Sequence, residues 1–228
     1  MKIGGFQKMT VLDFPGKVAC TLFTHGCNLR CPFCHNARLV LRDEDLIDED
    51  EILSYLNKRR GILDGICISG GEPLLQDDIF DFMKKVKDLH MLVKLDTNGT
   101  MPQRLEYAIE AGLVDYVAMD IKNCREKYAL TSGIDSLDIS KIEKSVEILM
   151  NSNVEYEFRT TVVRELHTKD DLIKIGEWLR GAKRYYIQSF VDSGDLISEG
   201  LSALDLQGLK ALSEAVFPYV PTVALRGV

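Results

Sequence analysis

The chain alternates apolar segments with amphipathic ones almost from end to end, and this alternation limits the fold more than any other feature. The apolar, β-branched runs are predicted as strands at residues 17–24, 65–69, 91–97, 114–121, 154–163, 184–190 and 221–225. Apolar residues at helical spacing predict helices at residues 48–58, 77–89, 102–111, 140–151, 169–179 and 205–216. Strands that alternate with helices form parallel βαβ units.

The number of these units predicts an α/β fold with an incomplete barrel. Six units occupy most of the 228 residues, whereas a complete eightfold barrel needs about 250. We therefore expect an incomplete (β/α)6 TIM-like barrel of parallel strands, with a doubly wound open sheet as the alternative. Without a Pro- or Gly-rich linker, residues 1–228 are predicted to form a single domain. It would comprise an N-terminal extension (1–16), a βα core (17–190), and a C-terminal helix with a closing strand (191–228).

Charge and apolar content restrict the partners of the chain. With 28 Lys and Arg against 35 Asp and Glu, the net charge is −7, which argues against nucleic acid or an anionic membrane surface as the main partner. No apolar run approaches the roughly 20 residues that span a bilayer, and the N-terminus lacks the apolar core of a signal peptide. We expect a cytoplasmic protein. In that reducing compartment its six cysteines indicate metal binding or catalysis rather than disulfides.

Polar residues gather where the predicted strands end. They lie at residues 24–25, 69–72, 96–98, 120, 122 and 188–189. Polar turn residues follow many strands, but in parallel α/β folds the carboxyl ends of the strands carry the ligand site. We expect these side chains to meet at one face of the fold.

Three cysteines, Cys27, Cys31 and Cys34, fall within eight residues directly after the first predicted strand. Thiolates select zinc or iron–sulfur centres. Structural zinc prefers four closed ligands in two separated pairs, and an ordinary four-iron cluster takes four cysteines, so a cluster held by three leaves one iron open. Metal-free thiols and a zinc site remain alternatives. The other cysteines are single: Cys20 and Cys67 are predicted to be core residues, and Cys124 lies near the expected mouth of the site without an assigned role.

The C-x3-C-x2-C spacing, with Phe33 before the last cysteine, resembles the radical S-adenosylmethionine (SAM) enzymes. This resemblance implies that Cys27, Cys31 and Cys34 hold a [4Fe-4S] cluster whose open iron chelates the amino and carboxylate groups of SAM. Reduction then cleaves the sulfonium and yields a 5′-deoxyadenosyl radical, with the protein supplying position and electrostatics. No further acid–base residue is required.

Further motifs resemble those of the same family. Gly70-Gly71-Glu72 is similar to its GGE motif, which implies contact with the amino group of SAM. Asp96-Thr97-Asn98-Gly99 and Asp120-Ile121-Lys122 resemble glycyl-radical-enzyme activators in particular. That resemblance implies Asp96, Thr97 and Asp120 near the SAM carboxylate, through a monovalent cation that offsets the repulsion between like charges. Lys122 is then a positive charge for the carboxylate or a ribose hydroxyl, and Asn98 is a hydrogen-bonding partner of SAM.

Other candidate residues carry a weaker signal. Arg159 lies inside an apolar strand and must be paired there, with a ligand carboxylate, Glu157 or Asp120. Gln188 is a candidate contact for adenine or ribose. His35 and Asn36 complete a Cys-His-Asn triplet also seen in the activators. His90 and His167 are predicted to be surface residues, and Trp178 a packing residue.

The N-terminal part of the chain favours one branch of the activators. Residues 10–17, with residues 26–32 and 34–36, are similar to activating proteins of anaerobic ribonucleoside-triphosphate reductase. This implies hydrogen abstraction from a glycine of that partner enzyme, with an electron donor such as flavodoxin. Pyruvate formate-lyase, or another glycyl radical enzyme, is an alternative partner. A small-molecule radical SAM enzyme such as a deazapurine synthase, and a non-catalytic iron–sulfur or zinc module, are alternative functions. The segment between Cys34 and Asp48 has no cysteine, so no auxiliary cluster is expected.

Overall fold

A computed structural model of the protein describes residues 1–41 and 46–227. One eight-stranded sheet contains β1 (Ile3–Thr10), β2 (Ala19–Thr24), β3 (Gly65–Gly70), β4 (Leu92–Thr97), β5 (Tyr116–Asp120), β6 (Glu155–Val162), β7 (Tyr185–Ser189) and β8 (Val223–Arg226). The α-helices are α1 (Ala37–Leu41), α2 (Glu49–Lys58), α3 (Ile79–Asp88), α4 (Pro102–Glu110), α5 (Tyr128–Ser132), α6 (Ile139–Asn151), α7 (Lys169–Trp178) and α8 (Leu206–Val216). Short 3₁₀ turns lie at Pro73–Leu75 and Arg125–Lys127.

The order of the strands decides between the two predicted architectures. β2 to β8 are parallel, and each pairs with the next strand in sequence. A doubly wound sheet requires a point where the strand order reverses, and this order runs in one direction from β1 to β8. Among the described residues no ladder joins β8 to β1. The incomplete barrel is therefore confirmed, with an open side between its first and last strands.

Burial on both faces explains the apolar strands. The first four residues of β2 and of β3 are buried, as expected where helices cover the outside of a parallel sheet. The helices bury one stripe against the strands; in α3 that stripe is Ile79, Phe82, Met83 and Val86. This packing holds the carboxyl ends of the strands at one face of the barrel.

Strand β1 is a correction to the sequence analysis, which treated residues 1–16 as an extension without a strand. Ile3–Thr10 pairs with β2 in antiparallel orientation, and the Ile3 side chain is fully buried. Two glycines and three polar residues in this run conceal its strand character, and pairing with β2 stabilises it. The division of the chain into extension, core and C-terminal part stays a prediction.

The inside of the barrel is polar. Side chains alternate along a strand, so Lys94 and Asp96 of β4 share a face, as do Glu157 and Arg159 of β6. Towards the amino ends of the strands, Glu157 accepts hydrogen bonds from both terminal nitrogens of Arg226, at 2.5 and 2.8 Å. Charged pairs thus occupy the space that an apolar barrel interior would fill.

Two expectations concern segments that the structure describes in part. None of the described helices is long and apolar enough to cross a membrane. The segment between Cys34 and Asp48, in which no auxiliary cluster is expected, contains residues 42–45, which lie outside the described residues. Val228, at the end of the predicted C-terminal part, lies outside them as well.

Candidate functional site

The predicted site residues meet in one cavity of about 430 Å³ at the carboxyl ends of the strands. This volume lies within the range of small-molecule sites. Every predicted site residue except Glu72 lines it: Cys27, Cys31, Phe33, Cys34, His35, Asn36, Gly70, Gly71, Asp96, Thr97, Asn98, Asp120, Lys122, Arg159 and Gln188. Polar residues at the ends of β3, β4, β5 and β7 thus converge on one face, as expected, whereas Thr24, His25 and Ser189 are not part of the cavity lining.

The cysteine loop between β2 and α1 is held from several sides. The Arg30 backbone N–H donates to the carbonyl of Ser132 at 2.9 Å, and the Arg30 guanidinium donates to the Cys27 carbonyl at 2.6 Å. Ser198 N–H donates to the Pro32 carbonyl at 3.0 Å. Leu29 and Phe33 are buried beneath the loop. These contacts fix the loop so that all three thiols face the cavity.

The environment of Cys27 and Cys31 disfavours the charged form of their thiols. Burial raises the pKa of Cys27 to about 11 and also raises the pKa of Cys31, against the opposing charge of Lys122. A metal centre would displace these protons on binding. Within the described residues, no three Cys, His, Asp or Glu side chains converge as ligands of a single ion. Cysteines that ligate a cluster bind different irons, so a cluster does not require such convergence.

Gly70 and Gly71 bring β3 against the start of the cysteine loop. Gly70 has a φ of +112°, and a Cβ there would overlap the backbone of Thr24; a Cβ on Gly71 would overlap the carbonyl of Gly26. Gly71 N–H donates to the Thr24 carbonyl at 2.9 Å. The glycines are needed for this close approach, which also places their backbone at the cavity wall.

The side chain of Glu72 lies behind the cavity wall instead of lining it. It is fully buried and accepts hydrogen bonds from Thr97 Oγ1 at 2.9 Å, Asn98 N–H at 2.7 Å and Leu74 N–H at 3.1 Å. Burial raises the pKa of Glu72 to about 7 although these donors favour the carboxylate. Glu72 therefore ties the end of β3 to the end of β4.

A small amide network orients Asn98. Its Nδ2 donates to Asn28 Oδ1 at 3.0 Å and lies 3.8 Å from Cys27 Sγ, and its Oδ1 accepts from Thr100 Oγ1 at 2.7 Å. Asn28 Nδ2 in turn donates to Thr100 Oγ1 at 2.8 Å. The network connects the DTNG segment directly to the cysteine loop.

Five charged residues form a continuous chain across β4, β5 and β6. Arg159 donates to Asp120 Oδ1 at 3.0 Å and to Asp96 Oδ2 at 3.3 Å. Lys122 donates to Asp120 Oδ2 at 3.0 Å, and Lys94 forms an ion pair with Asp96 Oδ1. Burial opposes ionisation, but the neighbouring cations outweigh it and lower the pKa of both Asp96 and Asp120. Arg159 thus pairs with Asp120, as one alternative predicted, while Glu157 pairs with Arg226.

The remaining predicted residues lie around the opening of the cavity. The Lys122 ammonium sits 5.8 Å from the centre of the Phe33 ring. Burial lowers the pKa of His35, and the charge of Lys122 lowers it further. Asn36, which follows the cysteine triplet, and Gln188 of β7 also line the cavity.

One expectation outside the site is wrong, that of His167 as a surface residue. His167 is buried, with Nε2 2.8 Å from the Lys122 carbonyl, because its loop folds over the end of β5. Cys124 is buried beneath the mouth of the barrel, with Sγ 3.4 Å from Asp171 Oδ1. Cys20 and Cys67 are buried strand residues, as predicted, and His90 is exposed. Trp178 packs against the core, as predicted.

Sequence reasoning missed several residues of the cavity and its floor. Gln7, Asp13, Thr21 and Phe23 line the cavity, and Lys94 lies directly below Asp96. The alternation of side chains along β2 and β4 could have identified Thr21, Phe23 and Lys94, since each lies two residues from another inward-facing position. Asp13, whose carboxylate accepts from Thr21 Oγ1 at 2.5 Å, lies in the N-terminal segment, for which no site residue was predicted.

Comparison with known proteins agrees with this site. Residues 21–179 match the family model described as "Radical SAM superfamily". The chain belongs to the radical SAM superfamily, and it is accordingly an enzyme of that class. It is 31% identical over 99% of its length, and 96% of the other chain, to a Methanocaldococcus jannaschii protein named "Putative glycyl-radical enzyme activating enzyme".

Two further proteins are similar over smaller shares of their own length. A Thermococcus kodakarensis protein named "Probable GTP 3',8-cyclase" is 30% identical over 55% of this chain and 42% of its own. The crystal structure of Streptococcus suis SuiB bound to S-adenosylmethionine superposes with a TM-score of 0.71 at 16% identity. That likeness covers 89% of this chain and 48% of SuiB, and it shows a shared fold.

Superfamily membership implies a [4Fe-4S] cluster and SAM, and the donors of the cavity fit both. Thiolates are the ligands that iron–sulfur clusters take, and three thiols line one end of the cavity. Fixed cations and aspartates at the strand ends offer partners for the carboxylate and amino groups of an amino-acid ligand. The glycine backbone between them leaves space for that ligand.

Proposed function

We propose that this enzyme activates a glycyl radical enzyme by abstracting a hydrogen atom from one of its backbone glycines. The observation that carries the proposal is the 31% identity over nearly the whole chain to the activating-enzyme relative. Cys27, Cys31 and Cys34 would hold the cluster, which in its reduced form would supply the electron for cleavage of SAM to methionine and a 5′-deoxyadenosyl radical. The protein itself needs to bind, orient and shield these groups.

Each group of cavity residues has a separate role in this proposal. The Gly70–Gly71 backbone faces the amino group of SAM, and the strand-end charges of Asp96, Asp120, Lys122 and Arg159 face its carboxylate side. Thr97 and Asn98 orient the methionine part next to Cys27. Phe33, His35, Asn36 and Gln188 surround the adenosine. Glu72 acts from behind the wall by holding the backbone of Asn98 in place.

The partner that we propose is the anaerobic ribonucleoside-triphosphate reductase, with flavodoxin as electron donor in the cytoplasm. The support is the N-terminal segment, residues 10–17, in which Asp13 lines the cavity. Residues that follow it, Gly26 to Asn36, form the cysteine loop. One residue of the segment that distinguishes this branch from other activators, Asp13, therefore lies at the site.

A route for the partner's glycine is available beside the cavity. A neighbouring cavity of about 630 Å³ shares Phe23, His35 and Asn36 with the first, and Gly4 and Gly5 of β1 form part of its wall. Arg38 and Asp195 form an ion pair at 3.4 Å across this second cavity. We propose that the glycine-bearing loop enters here, along the open side of the barrel.

Replacing Gly5 by valine tests this route. A Cβ on Gly5 would have Phe23 as its nearest neighbour, at 3.4 Å, so the strand tolerates a side chain that narrows the second cavity. We expect glycyl radical formation to fall by about tenfold or more while partner-free SAM cleavage stays within about twofold. The matched control is Lys8→Val, on the exposed face of the same strand. Equal radical yields in Gly5→Val and wild type would contradict the route.

Electron paramagnetic resonance tests the function itself. Reconstituted enzyme, SAM and reduced flavodoxin are incubated anaerobically with anaerobic ribonucleotide reductase and, in parallel, with pyruvate formate-lyase. We expect the doublet of a glycyl radical in the reductase sample and production of 5′-deoxyadenosine. A doublet in the pyruvate formate-lyase sample alone would show that pyruvate formate-lyase, and not the reductase, is the partner. SAM cleavage without a doublet in either sample would refute the proposal.

Chemistry on a small molecule is the second candidate, favoured by the likeness to the cyclase. That likeness covers about half of this chain, whereas the likeness to the activating-enzyme relative covers nearly all of it. If the enzyme consumed a purine nucleotide such as GTP while producing 5′-deoxyadenosine, this small-molecule function would be favoured.

A further inference from the structure

The two aspartates at the cavity have cationic partners within the protein. Asp96 faces Lys94 through Oδ1 and Arg159 through Oδ2, and Asp120 faces Arg159 through Oδ1 and Lys122 through Oδ2. The resemblance to the activators implies a monovalent cation that neutralises these carboxylates next to the SAM carboxylate. In this chain three cations, Lys94, Arg159 and Lys122, already face the two carboxylates and donate to all four of their oxygens, so a further cation is not needed to neutralise them.

Lys94 is the one residue of this charged group that has no role in the proposed function. Its side chain is almost completely buried, at 1% exposure, and it lies on the same face of β4 as Asp96, two residues earlier. Its ammonium is also 3.6 Å from Cys67 Sγ. Burial opposes its charge, but Asp96 outweighs burial and raises the pKa of Lys94. A charged lysine is costly to bury without such a partner, so the ammonium is a permanent positive charge beneath Asp96.

We propose that the Lys94 ammonium takes the place of a monovalent cation in this chain. With Arg159 and Lys122 it neutralises Asp96 and Asp120, so that the carboxylate of SAM binds beside them without potassium or sodium. Lys94 is then a positioning residue that acts through Asp96. The inference rests on SAM binding, which superfamily membership implies, and is independent of the protein whose glycine is attacked.

The wild-type enzyme provides the first test, which needs no variant. The dissociation constant of SAM is measured calorimetrically with cluster-reconstituted protein in potassium, sodium or tetramethylammonium chloride at equal ionic strength. We expect the three constants to agree within about twofold. Binding weakened about tenfold or more in tetramethylammonium chloride would overturn the proposal.

The variant Lys94→Met provides the second test, because methionine has a similar length and no charge. We expect SAM to bind about tenfold more weakly in tetramethylammonium chloride, and potassium to restore most of the affinity by occupying the space next to Asp96. Potassium is also expected to raise the thermal midpoint of the cluster-free variant but not that of cluster-free wild type. A variant that responds to potassium no more than wild type does would refute the assignment to Lys94.

Lys127→Met is the matched control. Lys127 forms an ion pair with Asp171 at 2.6 Å, and neither residue lines the cavity. Its response to potassium should equal that of wild type. If Lys94→Met fails to fold, the wild-type comparison alone decides. SAM affinity is measured without a partner protein, so this test stays valid even if the enzyme forms no glycyl radical. Conversely, a requirement for potassium would refute the role of Lys94 but not the proposed function.

Discussion

Replacing Cys31 by alanine is expected to abolish reductive SAM cleavage. Removing a residue that merely supports a metal ligand costs about 10- to 100-fold, so loss of a direct ligand should cost at least about 100-fold. Cys31 is buried at the cavity wall and lies between the other two loop cysteines in the chain. Among the described residues, no fourth cysteine lines this cavity that could replace it. Iron and sulfide per chain, and 5′-deoxyadenosine by chromatography, measure the effect.

Cys124→Ala is the control for this experiment. Cys124 is as deeply buried as Cys31, but its thiol contacts Asp171 behind the barrel end. This variant should retain the iron content and SAM cleavage of wild type. Full iron content and unimpaired cleavage in Cys31→Ala would show that the triplet does not hold the cluster.

Replacing Arg159 by methionine is expected to have the largest effect on stability. Arg159 bridges Asp96 and Asp120, and removing one partner of a buried ion pair costs about 3–5 kcal/mol because a charge is left without compensation. Urea unfolding at pH 7 measures the loss. Arg125→Met is the control: its pair with Glu143, at 2.5 Å, is about half exposed, and such pairs contribute about 1 kcal/mol or less. Equal destabilisation by the two variants would contradict the role of Arg159.

The pH dependence of unfolding gives a second readout for Arg159. The pKa values of Asp96 and Asp120 are lowered in the fold, so their stabilising contribution is present above the ordinary aspartate pKa of about 4 and is lost as the pH falls below it. Without Arg159 both pKa values should rise towards the ordinary value. The variant should therefore lose less of its remaining stability than wild type does upon acidification below about pH 4.

Much of the fold was predictable because the signals are local. Residues 66–68 and 116–119 are unbroken apolar runs inside the strands predicted at 65–69 and 114–121. They form β3 and β5, which differ from the predicted strands by one or two residues at their ends. The helix predicted at 205–216 is observed at Leu206–Val216. Strand β1 was not predictable in this way, since Gly4, Gly5 and the polar residues that follow become a strand only by pairing with β2.

The candidate site divides in the same manner. The thiols of the cysteine triplet are three and four residues apart, so the prediction that they hold the cluster depends only on neighbours in the chain. His167 was misplaced because its burial depends on a loop that returns from elsewhere in the fold. Lys94 reads as an ordinary polar residue of a strand, because a linear pattern does not show that both faces of this strand are enclosed.

The sequence by itself therefore determined the alternation of strands and helices and the chemistry of the cysteine loop, since both depend on short-range spacing. Only the tertiary structure decided how the charges of the cavity neutralise one another. Arg159 lies 63 residues from Asp96 and 39 from Asp120 along the chain. Because β4, β5 and β6 are neighbours in the sheet, these three side chains lie within hydrogen-bonding distance of one another. Since they are buried, each charge needs a partner of opposite sign.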